Sequence, residues 1–202
     1  MAILNALSVT KMQDEKTRAW HATEENIESE DLMGLAEAQH RANFDLWHEE
    51  DKARDPGASD AEIVAVKHAI DRLNQQRNDL VEKMDTILLA LAGEQNPNAP
   101  LHSETPGLMI DRLSILALKI YHTEEETRRE SATEAHRQKN AARLAVLKEQ
   151  RADLAGCLDA LWAESLTGTR RFKLYRQMKM YNDPDLNPKM YGAGKDRKAK
   201  TG

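Results

Sequence analysis

The chain has 202 residues and a net charge of −5, with 40% hydrophobic and 31% charged residues, which allows one sizeable core, does not call for two domains, and excludes a wholly disordered protein. The longest apolar stretch, Ile110 to Tyr121, is broken by Asp111, Arg112, Ser114 and Lys119, so no membrane span is expected. No basic region precedes an apolar run at the start, and a single cysteine, Cys157, excludes an intrachain disulfide, so the chain reads as cytoplasmic.

Ala, Leu, Glu, Lys, Arg and Gln dominate, while aromatics are only 4%, a helix-forming composition. Helix 1 is expected from Ile3 to Asn26, with a weak apolar stripe of Val9, Met12, Ala19 and Trp20. Helix 2 is expected from Asp31 to Arg54, ending at the turn Asp55-Pro56-Gly57. Helix 3 opens on a capping box, Ser59 and Glu62. It continues with Ile63, Val66, Ile70, Leu73, Arg77, Leu80, Met84, Ile87 and Leu91, a three-four repeat suited to packing along a neighbouring helix.

After the loop Gly93 to Ser103, helix 4 starts at Thr105-Pro106, a cap followed by proline at the first helical position. Its apolar face is Met109, Ile110, Leu113, Leu116, Ala117 and Ile120. The polar stretch after His122 leaves two readings open: a break with a new capping box at Ser131 and Glu134, or one continuous exposed helix. Helix 5 repeats the three-four pattern as Leu144, Leu147, Arg151, Leu154, Leu158 and Leu161. Beyond Gly168, the spacing of Phe172, Tyr175, Met178 and Tyr181 predicts a short amphipathic helix docked on the body. No period-two alternation marks a strand. The expected fold is therefore all-α, an antiparallel bundle of four to five long helices over residues 1–181, followed by an irregular basic tail over 182–202.

Charge is unevenly spread. Residues 1–167 carry 19 basic and 31 acidic side chains, whereas residues 168–202 carry 10 basic and 3 acidic. Such a tail can dock on its own body, on a partner or on an anionic ligand. Its basic and aromatic residues also suit single-stranded nucleic acid, but the acidic body argues against that partner.

Polar residues on otherwise apolar faces point to sites. His40, Asn43, Trp47, Asp51 and Arg54 share one face of helix 2, and buried polar groups need partners or ligands. Lys67, Asp71, Asn74, Asn78 and Asp85 line helix 3 beside its seam, and Arg77 and Arg151 interrupt the seams of helices 3 and 5. An arginine there can reach water or hold an anion or carboxylate. The start of helix 4 offers free N–H groups, with Arg112 and Lys119 placed to extend an anion site. Asp111, Ser114 and His122 share another face of helix 4. No phosphate loop, HExxH or nucleophile elbow is present. Glu37-x-x-His40 lacks the second such pair of a di-iron bundle, so no metal ligands are assigned, and the sequence does not identify a cofactor.

The stretches HRANFDLWHEEDKAR (40–54), VKHAIDRLNQQRNDLVEKMD (66–85), HSETPGLMIDRLSILALKIYH (102–122) and YRQMKMYNDPDLNP (175–188) resemble an uncharacterised bacterial family of domains of unknown function. The core of the third stretch is also similar to a motif in small proteins linked with glycosyltransferases of surface polysaccharides. The resemblance carries no residue roles. Together these readings favour a small-molecule-binding or catalytic domain for a phosphorylated or nucleotide-linked sugar. The proton-transfer candidates are His40, Asp51, Asp71 and His122; the ligand-binding candidates are Asn43, Trp47, Arg54, Lys67, Asn74, Arg77, Asn78, Asp111, Arg112 and Lys119. The alternative is a non-enzymatic module that self-associates or partners a glycosyltransferase.

Overall fold

The structure is a computed structural model and describes residues 4–23, 31–176, 178 and 185–188. Among them five helices form: α1 (Ala6–Trp20), α2 (Leu32–Lys52), α3 (Asp60–Ala92), α4 (Pro106–Arg128) and α5 (Glu134–Thr167). Each start is fixed by a side chain that accepts one of the orphan first-turn N–H groups. Asn5 serves α1, Asp31 serves α2 and Thr105 serves α4. Ser59 and Glu62 form the full capping box of α3. The break after α4 is real, but Thr133 rather than Ser131 caps α5, accepting from the His136 N–H at 3.2 Å.

α2 and α3 pack along each other as one hairpin, α4 and α5 as a second, and α1 lies across α4 while touching α2 and α5. Residues from the C-terminal half of α3 and of α5 join those of α1, α2 and α4 in the main core. Val9, Met84, Leu88, Ile110, Leu113 and Leu158 are fully enclosed there. Trp20, Phe44 and Leu118 form a second, smaller cluster, with Trp47 against it. No described helix is long and apolar enough to cross a membrane.

Two sequence expectations change. α1 stops at Trp20, with a turn at His21 and Ala22; residues 24–26 of the expected helix lie outside the described residues. Its inward face looked weak because Gln13 and Thr17, both buried, occupy it beside Val9 and Trp20. The predicted helix from Phe172 does not form over residues 172–176. Gly168 ends α5 in the left-handed conformation at φ 72°, and the chain then runs extended, with Arg171 bridging Leu101. The Arg171 N–H donates to the Pro100 carbonyl at 3.1 Å and the Phe172 N–H to Gln95 Oε1 at 2.9 Å, so the start of the basic tail docks on the body with Phe172 buried. Most of residues 177–202, including the expected boundary at 181, lies outside the described residues. Cys157 is exposed.

The two seam arginines both hold carboxylates. Arg151 reaches across to α1, where Nη1 contacts both oxygens of Asp14 at 2.8 and 3.0 Å and Nη2 donates to the Thr10 carbonyl. Arg77 Nε lies 3.2 Å from Asp111 Oδ1 on α4.

Candidate functional site

The polar rows of α2 and α4 meet inside the bundle. His40 and Ser114 are fully buried, and Asn43 and Asp111 nearly so. Ser114 Oγ sits 2.7 Å from His40 Nδ1, and His40 Nε2 sits 2.9 Å from both the Gln13 carbonyl and Thr17 Oγ1. Because the Gln13 carbonyl only accepts, Nε2 carries the proton and Nδ1 accepts from Ser114. Asn43 Nδ2 donates to Ser114 Oγ at 2.9 Å and to Asp111 Oδ1 at 3.0 Å, and Gln39 Nε2 donates to the same oxygen at 2.5 Å. Burial drives the His40 imidazole down to about 3, and burial also raises Asp111, against the pull of Arg77 and Asn43. His40 is thus a neutral ring with both nitrogens engaged and no path to solvent.

Outward from this network lies a cavity of about 330 Å³ between α2, α3 and α4. Asn43 and Leu118 form its inner wall; Trp47, Glu50, Asp51, Arg54 and Arg77 line the rest. Five of the residues singled out in the sequence, Asn43, Trp47, Asp51, Arg54 and Arg77, therefore come together. Arg54 is anchored to Glu50 at 2.8 Å, and the buried Arg77 Nε makes no hydrogen bond among the described residues. A second cavity, about 550 Å³, lies on the far side of Trp47 and includes Lys119, His122 and Arg143.

The other candidates fall elsewhere. Lys67 and Asp71 pair with each other on the surface, and Asn74 donates to its own helix at the Ile70 carbonyl. Asn78 is half-buried outside the cavity lining. The start of α4 is not a vacant anion site, because Asp85 fills it. Its carboxylate accepts from the Gly107 N–H at 2.7 Å and from Thr105 Oγ1. Gly107 is required for that approach: a Cβ there would lie 2.7 Å from Asp85 Oδ1 and 2.9 Å from the Val81 carbonyl oxygen. Arg112 turns away to Glu104, at 2.7 and 2.8 Å from its two oxygens. Asp71→Ala and Arg112→Ala, each breaking an exposed pair, should each change stability by about 0.5 kcal/mol or less in urea denaturation.

Sequence reasoning missed a cluster at the same end of the bundle. His21 at the end of α1, His48 on α2 and His122 on α4 each bring one ring nitrogen to within 4.8 Å of the others. Trp47 stacks on His122 at 4.8 Å and 10°, and Tyr121 stacks on His21 at 4.5 Å and 20°. Burial lowers the His122 pKa, against the pull of Glu125, and His21 and His48 add to the lowering. A signal was available: each of these histidines directly follows an aromatic, as Trp20-His21, Trp47-His48 and Tyr121-His122.

Residues 33–174, which span α2 to the start of the tail and hold the cavity and the α2 and α4 members of the network, match the family described as "Protein of unknown function (DUF4254)". The chain belongs to the DUF4254 family. No curated protein and no solved structure matches it. The DUF4254 region includes His48 and His122 but begins after His21, which α1 supplies.

Proposed function

We propose that this DUF4254 protein binds, and acts on, a phosphorylated or nucleotide-linked sugar in the cavity between α2, α3 and α4. One observation carries the reading: Arg77, with guanidinium donors to spare beyond Asp111, borders a 330 Å³ cavity walled by Trp47 and carboxylates. That volume falls at the lower end of small-ligand sites. An indole face suits the apolar face of a sugar ring, Asp51, Glu50 and Asn43 suit its hydroxyls, and Arg54 and Arg77 suit a phosphate through forked hydrogen bonds. Among the proton-transfer candidates, Asp51 and His122 line cavities, whereas His40 is sealed and Asp71 is paired on the surface. The surface-polysaccharide setting rests on the likeness of the segment 106–116 to glycosyltransferase-linked proteins.

The test is thermal unfolding of the whole chain against sugar phosphates, nucleotides and nucleotide sugars. A ligand that binds only the folded state raises the midpoint, by about 2.7 kcal/mol of stabilisation at a hundredfold excess over Kd. The shift should disappear in Asp51→Asn and Arg54→Ala, whose exposed positions leave folding intact. No shift with any compound favours a second reading, a self-associating or glycosyltransferase-binding module. The observation behind that reading is the apolar seam of α3, which is left open at its start with Ile63 37% and Val64 56% exposed. Light scattering over a concentration series then reads the oligomeric state.

A further inference from the structure

We propose that His21, His48 and His122 form a binding site for a divalent transition metal of the Zn²⁺ class, with an open fourth position. The inference does not depend on a sugar binding in the cavity between α2, α3 and α4, with which it shares only the Trp47 ring; His122 serves here as a ligand and not as a proton-transfer group.

Three helices that are remote in sequence deliver one imidazole each to the same point. In all three rings Nδ1 is already used, and always by a group that can only accept. His21 Nδ1–H donates to the Thr17 carbonyl at 2.7 Å, His48 Nδ1–H to the Phe44 carbonyl at 2.8 Å, and His122 Nδ1–H to Glu125 Oε2 at 2.9 Å. Each bond fixes the proton on Nδ1 and leaves a lone pair on Nε2. This is the arrangement that metal-bound histidines show: the second ring nitrogen is held by a carbonyl or carboxylate, which sets the tautomer and raises the basicity of the ligand.

The free ends of the rings are poorly explained without an ion. His122 Nε2 is shut off from solvent and has no hydrogen-bond partner among the described residues. Two neutral imidazoles of the same tautomer cannot satisfy it, because neither His21 nor His48 has a proton left to donate. A buried lone pair without a donor is unfavourable, and a cation is the group that one ring nitrogen from each of three histidines can share.

The surroundings hold the rings in place. Phe44 packs edge-on to His21 at 4.8 Å and against His48 at 4.4 Å, while Trp47 and Tyr121 stack on the other two faces. Three neutral imidazoles suit Zn²⁺ and its neighbours and not Mg²⁺ or Ca²⁺, which take oxygen ligands. A tetrahedral site with Zn–N near 2.0–2.1 Å places its nitrogens roughly 3.4 Å apart, so pairs now within 4.8 Å must draw in by up to about 1.4 Å. His21 is exposed, which leaves the fourth position facing solvent. Three protein ligands with an open position are the catalytic pattern of zinc and not its closed structural one.

The experiment uses the full chain, stripped with a chelator, re-supplied with Zn²⁺ and desalted, with retained metal counted by mass spectrometry. One Zn²⁺ per chain is expected, and Co²⁺ in its place should give the intense visible absorption of a four-coordinate site. His21→Ala, at the exposed ligand, and His48→Ala should each weaken binding at least tenfold with unchanged circular dichroism. Glu125→Gln should weaken it by about ten- to a hundredfold, and His68→Ala should have no effect. Retention of no metal by the native chain, or affinity that survives both His21→Ala and His48→Ala, overturns the site. Loss of a sugar-ligand shift has no bearing on these readings.

Discussion

Asp111→Ala is expected to lower stability by about 3–5 kcal/mol, the range for removing one partner from a buried charged pair. Asp111 Oδ1 accepts from Gln39 Nε2 and Asn43 Nδ2 and pairs with the Arg77 guanidinium by charge, and only about 5% of the residue is exposed. Deleting the carboxylate strands the Gln39 donor in the core and leaves Arg77 without its counter-charge. Asn43 keeps Ser114 Oγ, and Arg77 can turn into the adjoining cavity, which places the loss toward the lower end of the range. Asp111→Asn retains an acceptor at Oδ1 and should cost less, about 1–2 kcal/mol. Urea denaturation of both variants at pH 7 reads the difference, with an unchanged m value showing that the fold is shared. Equal losses for Ala and Asn would mean that the charge on Asp111, and not its hydrogen bonding, carries the effect.

This network and the cavity differ in how far the sequence revealed them. Helix starts were legible because caps act within four residues: Ser59 with Glu62 and Thr105 with Pro106 need nothing from the rest of the chain. At the start of α5 local rules were insufficient, because Ser131 and Thr133 both suit a cap. Thr133 is the residue used, and in the same turn Arg137 Nη1 donates to the Ala132 carbonyl at 2.6 Å. Polar residues on apolar faces exposed part of the network, His40, Asn43, Asp111 and Ser114. Gln13, Thr17 and Gln39 remained hidden because amides and hydroxyls on a weakly patterned helix read as surface. Of the polar rows on α2 and α3, only the α2 row lines the cavity: Lys67, Asp71, Asn74 and Asn78 lie outside its lining, and from α3 only Arg77 enters it. The histidine cluster was the hardest to see. Its members lie far apart in the chain, and only their shared aromatic neighbours link them.

The second large effect concerns pH and the junction of α3 with α4. Asp85 is buried against the first turn of α4, and burial pushes its carboxyl up to about 6 from an ordinary 3.8, outweighing the Thr105 and Gly107 hydrogen bonds that pull it down. Below pH 3.8 the carboxyl is protonated whether the chain is folded or not, and its contribution to stability is complete. As pH rises toward 6, the unfolded chain releases the proton while the folded chain retains it, so stability is lost; above 6 both forms are ionised and the loss stops. Over that window the change amounts to about 3 kcal/mol. Asp111, raised as well, acts in the same direction, whereas His40, neutral in the fold, acts in the opposite one by losing stability as pH falls below 6.5. The measurement is therefore a difference. The stability of the native chain minus that of Asp85→Asn, followed by urea denaturation, should fall by about 3 kcal/mol between pH 3.5 and 6.5, estimates that follow from linkage. A flat difference would mean that the N–H groups and dipole of α4 offset burial fully and hold the carboxylate ionised. A difference that rises with pH would reverse the assignment, making Asp85 an anionic cap whose charge stabilises the junction. Either result decides whether the Thr105-Pro106-Gly107 start of α4 is held by a neutral hydrogen-bonded acid or by a helix-bound anion.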